Sequence, residues 1–251
     1  MDVSDDSSRV TTVETAFELL ETIVRRDGCR ITELAEEHDL AKSTVHRHLT
    51  TLEELEYVVN DDGIFRTGFR FLKIGERTRA RLDEYELVER NVAALADETN
   101  ECVQFMVEEH GWAVYVFRDR GDNAVATDAE IGDRLPIHAC AGGKAILAFS
   151  DDDRLEEIID DRGLPQLTDA TITDRDELVE QLAAVRERGY SCNDQESADS
   201  LRAFGVPIRY EDGRVLGALS VSGPIRRFQD DSLATRLLET ANELELKIRY
   251  A

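Results

Sequence analysis

Three groups of residues in this chain have types and spacing suited to chemistry. The first is the window Leu40–Leu52. It holds Lys42, His46, Arg47 and His48 together with Ser43, Thr44, Thr50 and Thr51, and no Asp or Glu. Acids crowd both flanks: Glu36, Glu37 and Asp39 before it, Glu53, Glu54 and Glu56 after it. On a helix turning about 100° per residue, Val45, Leu49 and Leu52 share one side. Ser43, Thr44, Arg47, Thr50 and Thr51 share the other, and His48 falls at the boundary, where packing is its expected role. Hydroxyls and a guanidinium on one exposed face touch phosphates and base edges in a major groove. The outer face of a merely solvated helix in so acidic a chain would carry carboxylates.

The second group is Ala141-Gly142-Gly143 with Ser220 and Ser222. The glycines stand where a loop enters a helix. There the first backbone N–H groups lack helical partners and sit at the positive end of the dipole, which favours an anion. Glycine also lets a ligand approach the backbone. Ser220 and Ser222 alternate with Leu219 and Val221, so both hydroxyls point to one face of a strand. Two hydroxyls beside the Gly223-Pro224 corner form a ligand clamp; the plainer reading is serines facing solvent.

The third group is the cysteines and histidines. Cys29, Cys102, Cys140 and Cys192 lie far apart with no C-x-x-C spacing, so each reads as a small core residue. The alternative is a redox-responsive regulator using Cys140 and Cys192. A hydrolase using Ser220 or Cys140 with His138 is a weaker reading. The chain has no G-x-S-x-G elbow, H-E-x-x-H or phosphate loop, and His138 and Cys140, two apart, diverge on either a strand or a helix. No metal site or cofactor is expected, and the protein is read as no enzyme.

These groups need elements to hold them. Val13, Ala16, Phe17, Leu20, Ile23 and Val24 give helical period over Thr11–Arg26, stopped by Asp27-Gly28. A short helix over Ile31–His38, with Thr32 as N-cap, and a third over Ser43–Leu55 follow. Tyr57-Val58-Val59, a turn at Asp62-Gly63 and Ile64–Thr67 make a hairpin. Three helices and a hairpin make a winged helix-turn-helix, with Arg66 on the wing as a further DNA contact. A protein-interaction module has the same element order; the acid-free window argues against it. Phe69–Asp97 has helical period (Phe71, Leu72, Leu82, Tyr85, Val88, Val92, Leu95) and a basic start of Arg70, Lys73, Arg77, Arg79 and Arg81. It reads as one long linker helix, or two broken near Gly75, joining two domains; the plainer alternative is the first helix of the second domain. Beyond it come a hairpin of Cys102–Glu108 and Trp112–Arg118, an extended piece at Ala124–Glu130, and a helix entered through Ala141–Gly143. Helices at Asp151–Asp160 and Asp174–Arg188, strands at Phe204–Arg209 and Val215–Ser222, and a last helix at Asp230–Tyr250 complete the chain. The expected fold class is α+β, with a mixed sheet flanked by helices in a GAF-like second domain.

The order Arg30-Ile-Thr-Glu-Leu-Ala, Leu40-Ala-Lys-Ser-Thr-Val-His-Arg47 and Leu52-Glu-Glu-Leu-Glu-Tyr-Val58 resembles the DNA-binding domain of IclR-type regulators. Leu135-Pro-Ile-His-Ala-Cys-Ala-Gly-Gly-Lys-Ala-Ile-Leu-Ala148, Gly189-Tyr-Ser-Cys-Asn-Asp-Gln-Glu196 and Val215-Leu-Gly-Ala-Leu-Ser-Val-Ser-Gly-Pro224 resemble that family's effector-domain motifs. The resemblance spans nearly the whole chain. It implies domains at 8–68 (DNA binding), 69–97 (linker helix with dimer contacts) and 98–251 (effector binding and oligomerisation). It also implies an effector pocket at Ala141, Gly142, Asn193, Ser220 and Ser222, with Asp194 in the same stretch. The expected effector is a small organic or aromatic acid, and the expected assembly is a dimer or tetramer on a palindromic operator. Asn193 stands where some members have Asp, and Ala203 where a Cys is common, so the identity of the ligand does not carry over.

The 251 residues hold 54 Asp and Glu against 30 Lys and Arg, a formal charge of −24, and only four of the basic residues are Lys. That pattern resembles halophilic adaptation; a merely acidic mesophile is the alternative. Residues 1–67 carry 16 acids against 7 bases, a balance of −9. Acidity of this size opposes a polyanionic partner unless the charge is unevenly placed. No apolar run is long enough to span a bilayer, and Met1–Ser8 is too polar for a signal peptide, so a cytoplasmic protein is expected.

Overall fold

The computed structural model describes residues 9–81, 84–125 and 129–250. The chain divides into two compact units, Met1–Arg81 and Leu82–Ala251. Met1–Ser8, Leu82 in the linker pattern and 126–128 in the extended piece lie outside the described residues.

The first unit contains α1 (Thr11–Arg25), α2 (Ile31–Glu37), α3 (Lys42–Glu54), β1 (Val58–Asp61), β2 (Ile64–Thr67) and α4 (Arg70–Arg79). Leu19, Leu20 and Ile23 of α1, Leu34 of α2, Val45 and Leu49 of α3, and Phe65 of β2 close one small core. Helix α2 begins at Ile31 as expected, but its cap lies two residues earlier than expected. Arg30, not Thr32, is its N-cap, and the Arg30 N–H donates to Glu33 Oε2 at 2.6 Å. Asp61 pairs with Ile64, leaving a two-residue turn in which Asp62 and Gly63 both have positive φ (50° and 81°). That is the turn whose twist matches a hairpin. Helix α4 runs unbroken through Gly75 and buries no residue.

The second unit is built on a six-stranded sheet of order β5-β4-β3-β8-β7-β6. Its strands are β3 (Cys102–Glu109), β4 (Trp112–Arg120), β5 (Arg134–Pro136), β6 (Ser191–Asp194), β7 (Leu201–Arg209) and β8 (Val215–Pro224). Every pairing is antiparallel, so the sheet is not the mixed one expected. Adjacent hairpins supply the outer pairs, and β8 returns to pair with β3, so no parallel crossover is needed. The described parts of Ala124–Glu130 form no strand; the edge strand lies later, at β5.

Alternate residues of the strands serve two cores. Phe105, Phe204, Val206, Leu219 and Val221 pack against α5 (Tyr85–Thr99) and α9 (Ser232–Arg249). Met106 and Ala218 face α6 (Ala141–Ala148), with α7 (Asp152–Arg162) and α8 (Arg175–Arg188) beyond it. Both faces of the central strands are therefore dry, which is why β7 and β8 read as nearly continuous apolar runs rather than a clean alternation.

Candidate nucleic-acid interface and effector site

In α3, Val45 and Leu49 are fully buried while Lys42, Ser43, His46, Arg47 and Thr51 are exposed. Thr44, His48 and Thr50 are half-buried. The face expected to meet DNA is thus the outward one. Thr51 Oγ1 donates back to the Arg47 carbonyl at 2.9 Å, and Thr50 Oγ1 lies 3.4 Å from His46 Nδ1. Several other arginines in this unit are tied to carboxylates: Arg25 and Arg26 both grip Glu37, and Arg70 reaches Glu56 at 3.3 Å. Among the described residues, Lys42 and Arg47 form no such pair. The wing differs: Arg66 is half-buried and lies 3.7 Å from the Asp61 carboxylate, so its charge has one acidic neighbour on the hairpin.

In the second unit, register sets side chains in rows on the α6 side of the sheet, because directly paired residues share a face. One row is Gln104, Ser220, Gly205 and Ser191; the next is Cys102, Ser222, Ala203 and Asn193. Helix α6 sits with its first turn on Gly205: a Cβ there would come 2.5 Å from the Ala141 carbonyl group and 2.8 Å from the Gly142 nitrogen. Ser191 Oγ donates to the Ala141 carbonyl at 2.5 Å, fixing the same turn. Ala141, Gly142, Asn193, Ser220 and Ser222 therefore gather on one face. Asp194, one residue on from Asn193, points to the other face and pairs with Arg202, so it does not join them.

The glycines serve packing. A Cβ on Gly142 would meet Met106 Sδ at 2.8 Å, and one on Gly143 would meet the Ile137 carbonyl oxygen at 2.0 Å. The expectation that they clear room for a ligand is replaced by this closeness to the protein itself. Cys140 is the N-cap residue but makes no side-chain cap hydrogen bond; its thiol donates instead to the Ile137 carbonyl at 3.9 Å. The amides of Ala141 and Gly142 have no acceptor among the described residues, and the dipole there favours negative charge. Asn193 is 1% exposed and fully engaged: Nδ2 donates to the Ala139 carbonyl (2.9 Å) and Ser197 Oγ (2.8 Å), and Oδ1 accepts the Glu196 N–H (2.8 Å). Its amide holds the β5–α6 junction against the loop after β6, so it shapes the site from behind.

The alternative chemistries are not assembled. Cys140 belongs to the core beneath α6, whereas Cys192 packs with the core on the opposite face of the sheet. Burial pushes the Cys140 thiol up to about 12, far from a thiolate, and raises Cys192 as well. His138 is buried and its Nε2 donates to the Pro165 carbonyl at 3.2 Å; it bonds neither Cys140 nor Ser220. No metal-binding cluster occurs among the described residues, and no helix among them is long and apolar enough to cross a membrane.

Family models agree with this architecture in both units. The IclR helix-turn-helix domain matches residues 12–62, and the bacterial transcriptional regulator IclR C-terminal domain matches residues 79–249. The chain belongs to the IclR family. It is a DNA-binding transcriptional regulator with a C-terminal effector-binding domain. It is 32% identical to the probable HTH-type transcriptional regulator ArcR of Halobacterium salinarum, over 97% of this chain and 95% of that one. The crystal structure of the Thermotoga maritima IclR superposes with a TM-score of 0.80 at 25% identity, covering 95% of this chain and 99% of that one. An IclR homolog from Microbacterium hydrocarbonoxydans, complexed with 4-hydroxybenzoate, superposes with a TM-score of 0.83 at 26% identity, covering 96% and 100%.

Three features of this IclR effector domain were not read from sequence. Gln104 on β3 is 4% exposed and hydrogen-bonds both serines. Its only signal is a lone amide in the apolar run Cys102–Val107. Lys144 and Glu196 form a buried ion pair, hidden among so many surface acids. Tyr115, opposite Met106 on β4, is a half-buried neighbour of the Cys102 and Cys140 thiols, and burial pushes its phenol up.

Proposed function

We propose that this IclR-family regulator binds a palindromic double-stranded operator as a homodimer or a pair of dimers, and releases or engages it in response to a small organic acid. Helix α3 enters the major groove. Lys42, Ser43, Thr44, His46, Arg47, Thr50 and Thr51 meet phosphates and base edges there, with Arg66 on the wing as a lesser contact. The observation carrying this reading is that Lys42 and Arg47 are exposed and, among the described residues, unpaired with carboxylates in a chain of formal charge −24.

Two-fold assembly is supported by apolar surface in the first unit. Val13, Phe17 and Val24 leave a stripe along α1 that is half or more exposed, and Phe69 and Leu72 beside or on α4 are 89% and 64% exposed. Exposed apolar side chains of this size on these helices are suited to covering by a second copy. The organisation is a DNA-binding domain at 8–68, a linker segment that begins at 69, and an effector domain at 98–251 whose core also takes in α5, so the C-terminal part of the 69–97 segment packs as its first helix. In the effector domain, the free amides of Ala141 and Gly142 take the acid group while Ser220 and Ser222 take a polar group further along. Asn193 positions them. The 4-hydroxybenzoate complex of the Microbacterium relative supports an acid of that size. Effector binding biases the placement of the two DNA heads by linkage.

The test is operator binding by the full chain across a KCl series, for wild type and Arg47→Ala. With few phosphate contacts relieved by counterion release, affinity falls only shallowly with salt. Arg47→Ala loses about 1–3 kcal/mol of specific binding with fold and assembly intact. Unchanged affinity in that variant removes α3 from its assigned role.

A further inference from the structure

Gln104 and the two serines make a polarised triplet, and this inference rests on the effector reading above. Ser220 Oγ donates to Gln104 Oε1 at 3.2 Å, while Gln104 Nε2 donates to Ser222 Oγ at 2.8 Å and lies 3.1 Å from Cys102 Sγ. An amide has one accepting end and one donating end, so it cannot treat the two hydroxyls alike. Ser220 has spent its proton and keeps lone pairs. Ser222 has accepted a proton and keeps its own O–H to give. On the far side of the serines, β7 supplies only Ala203 and Gly205, which add no polar group.

We infer that Gln104 is a specificity-determining residue, requiring the effector to present at the serines a group that both donates and accepts: a hydroxyl or phenol of a hydroxylated organic acid. Such a group donates to Ser220 Oγ and accepts from Ser222. An ionised carboxylate only accepts, and faces the lone pairs of Ser220 unpaired. An unsubstituted acid of the same skeleton leaves the Ser220 lone pairs and the Ser222 O–H desolvated and unmatched, the situation that discriminates most strongly in buried sites. The serines alone would not impose this, since each hydroxyl is free to rotate to suit its ligand. The fixed amide removes that freedom, and its burial at 4% exposure holds it in place.

The experiment is isothermal titration of the full-length protein in molar KCl with matched acid pairs: 4-hydroxybenzoate and benzoate, lactate and propionate, 3-hydroxybutyrate and butyrate. In any pair that binds, the hydroxylated member binds about tenfold or more tightly. Gln104→Met brings that ratio close to one, chiefly by weakening the hydroxylated member. Ser222→Ala does the same if Gln104→Met does not fold. A ratio near one in wild type, or a full ratio surviving in Gln104→Met, overturns the inference. Parallel operator-release assays separate the two readings. Acids that bind and release DNA without hydroxyl preference sink the role of Gln104 and leave the regulator reading standing. Failure of all six acids to bind sinks both the class of effector and the role of Gln104.

Discussion

Lys144 and Glu196 face one another at 2.5 Å in the interior, the only ion pair among the described residues whose two side chains are both buried. Lys144 Nζ also donates to the Cys192 carbonyl at 2.7 Å, so a helix residue is fastened to β6 and to the loop after it. Glu196 in turn gives its N–H to Asn193, and its carbonyl accepts from Thr171 Oγ1 at 2.6 Å. The pair is thus the joint between the first turn of α6 and the Asn193 loop.

Removing one partner strands the other charge away from water. Lys144→Met is expected to destabilise the effector domain by about 3–5 kcal/mol, and Lys144→Met with Glu196→Leu to recover much of that loss. Urea unfolding at fixed high KCl measures both. A single variant as stable as wild type would show that the pair does not hold the joint.

Gly205→Ala tests the seating of α6. The new methyl group meets the Ala141 backbone at 2.5 Å, with no flexible side chain to yield, so a loss of about 1–3 kcal/mol is expected. Effector affinity should fall with it, since the Ala141 and Gly142 amides move. Gly75→Ala is the control. Its position in α4 has open space, and replacing a mid-helix glycine is worth about 0.5–1 kcal/mol in the stabilising direction. Equal effects from the two would refute the close packing.

Acidification should act through His138. Burial lowers its pKa from the ordinary 6.5, against the opposing pull of the Pro165 carbonyl. The unfolded chain therefore binds the proton more readily. The stability due to a neutral His138 is fully present above pH 6.5 and is lost as pH falls through the lower folded value. His138→Leu should unfold in urea with a smaller loss between pH 7.5 and 5.5 than wild type. An identical loss in both proteins would assign the acid sensitivity to other groups.

The first unit was nearly all legible because its signals are local. Apolar spacing marks α1 and α3, Asp62-Gly63 fixes the hairpin, and the acid-free window marks the outward face of α3. Ser43, Arg47 and Thr51 are exposed as that reading expects, while Thr44 and Thr50 are half-buried. The effector domain was legible in its motifs and long helices but not in its pairing. Strands β5 and β6, three and four residues long, are too short to show a period. Gln104 meets Ser222 across 118 positions of chain, and nothing near either residue announces the other. Asp194 was misplaced for a related reason: neighbours in a motif point to opposite faces once the motif becomes a strand.

The two-sided use of β3 and β8 separates what can drift from what must stay. Ser220, Ser222 and Gln104 alternate with Leu219, Val221, Val103 and Phe105, which hold the other layer together. Under the role proposed for the first set, a point change there alters the group recognised, while the apolar layer on the other face keeps its residues. A single inserted residue within β8 would instead swap the two sets, driving leucine and valine into the recognition face and serine into the scaffold. On that proposed role, a new ligand is reached in such a strand by substitution rather than by a change in its length.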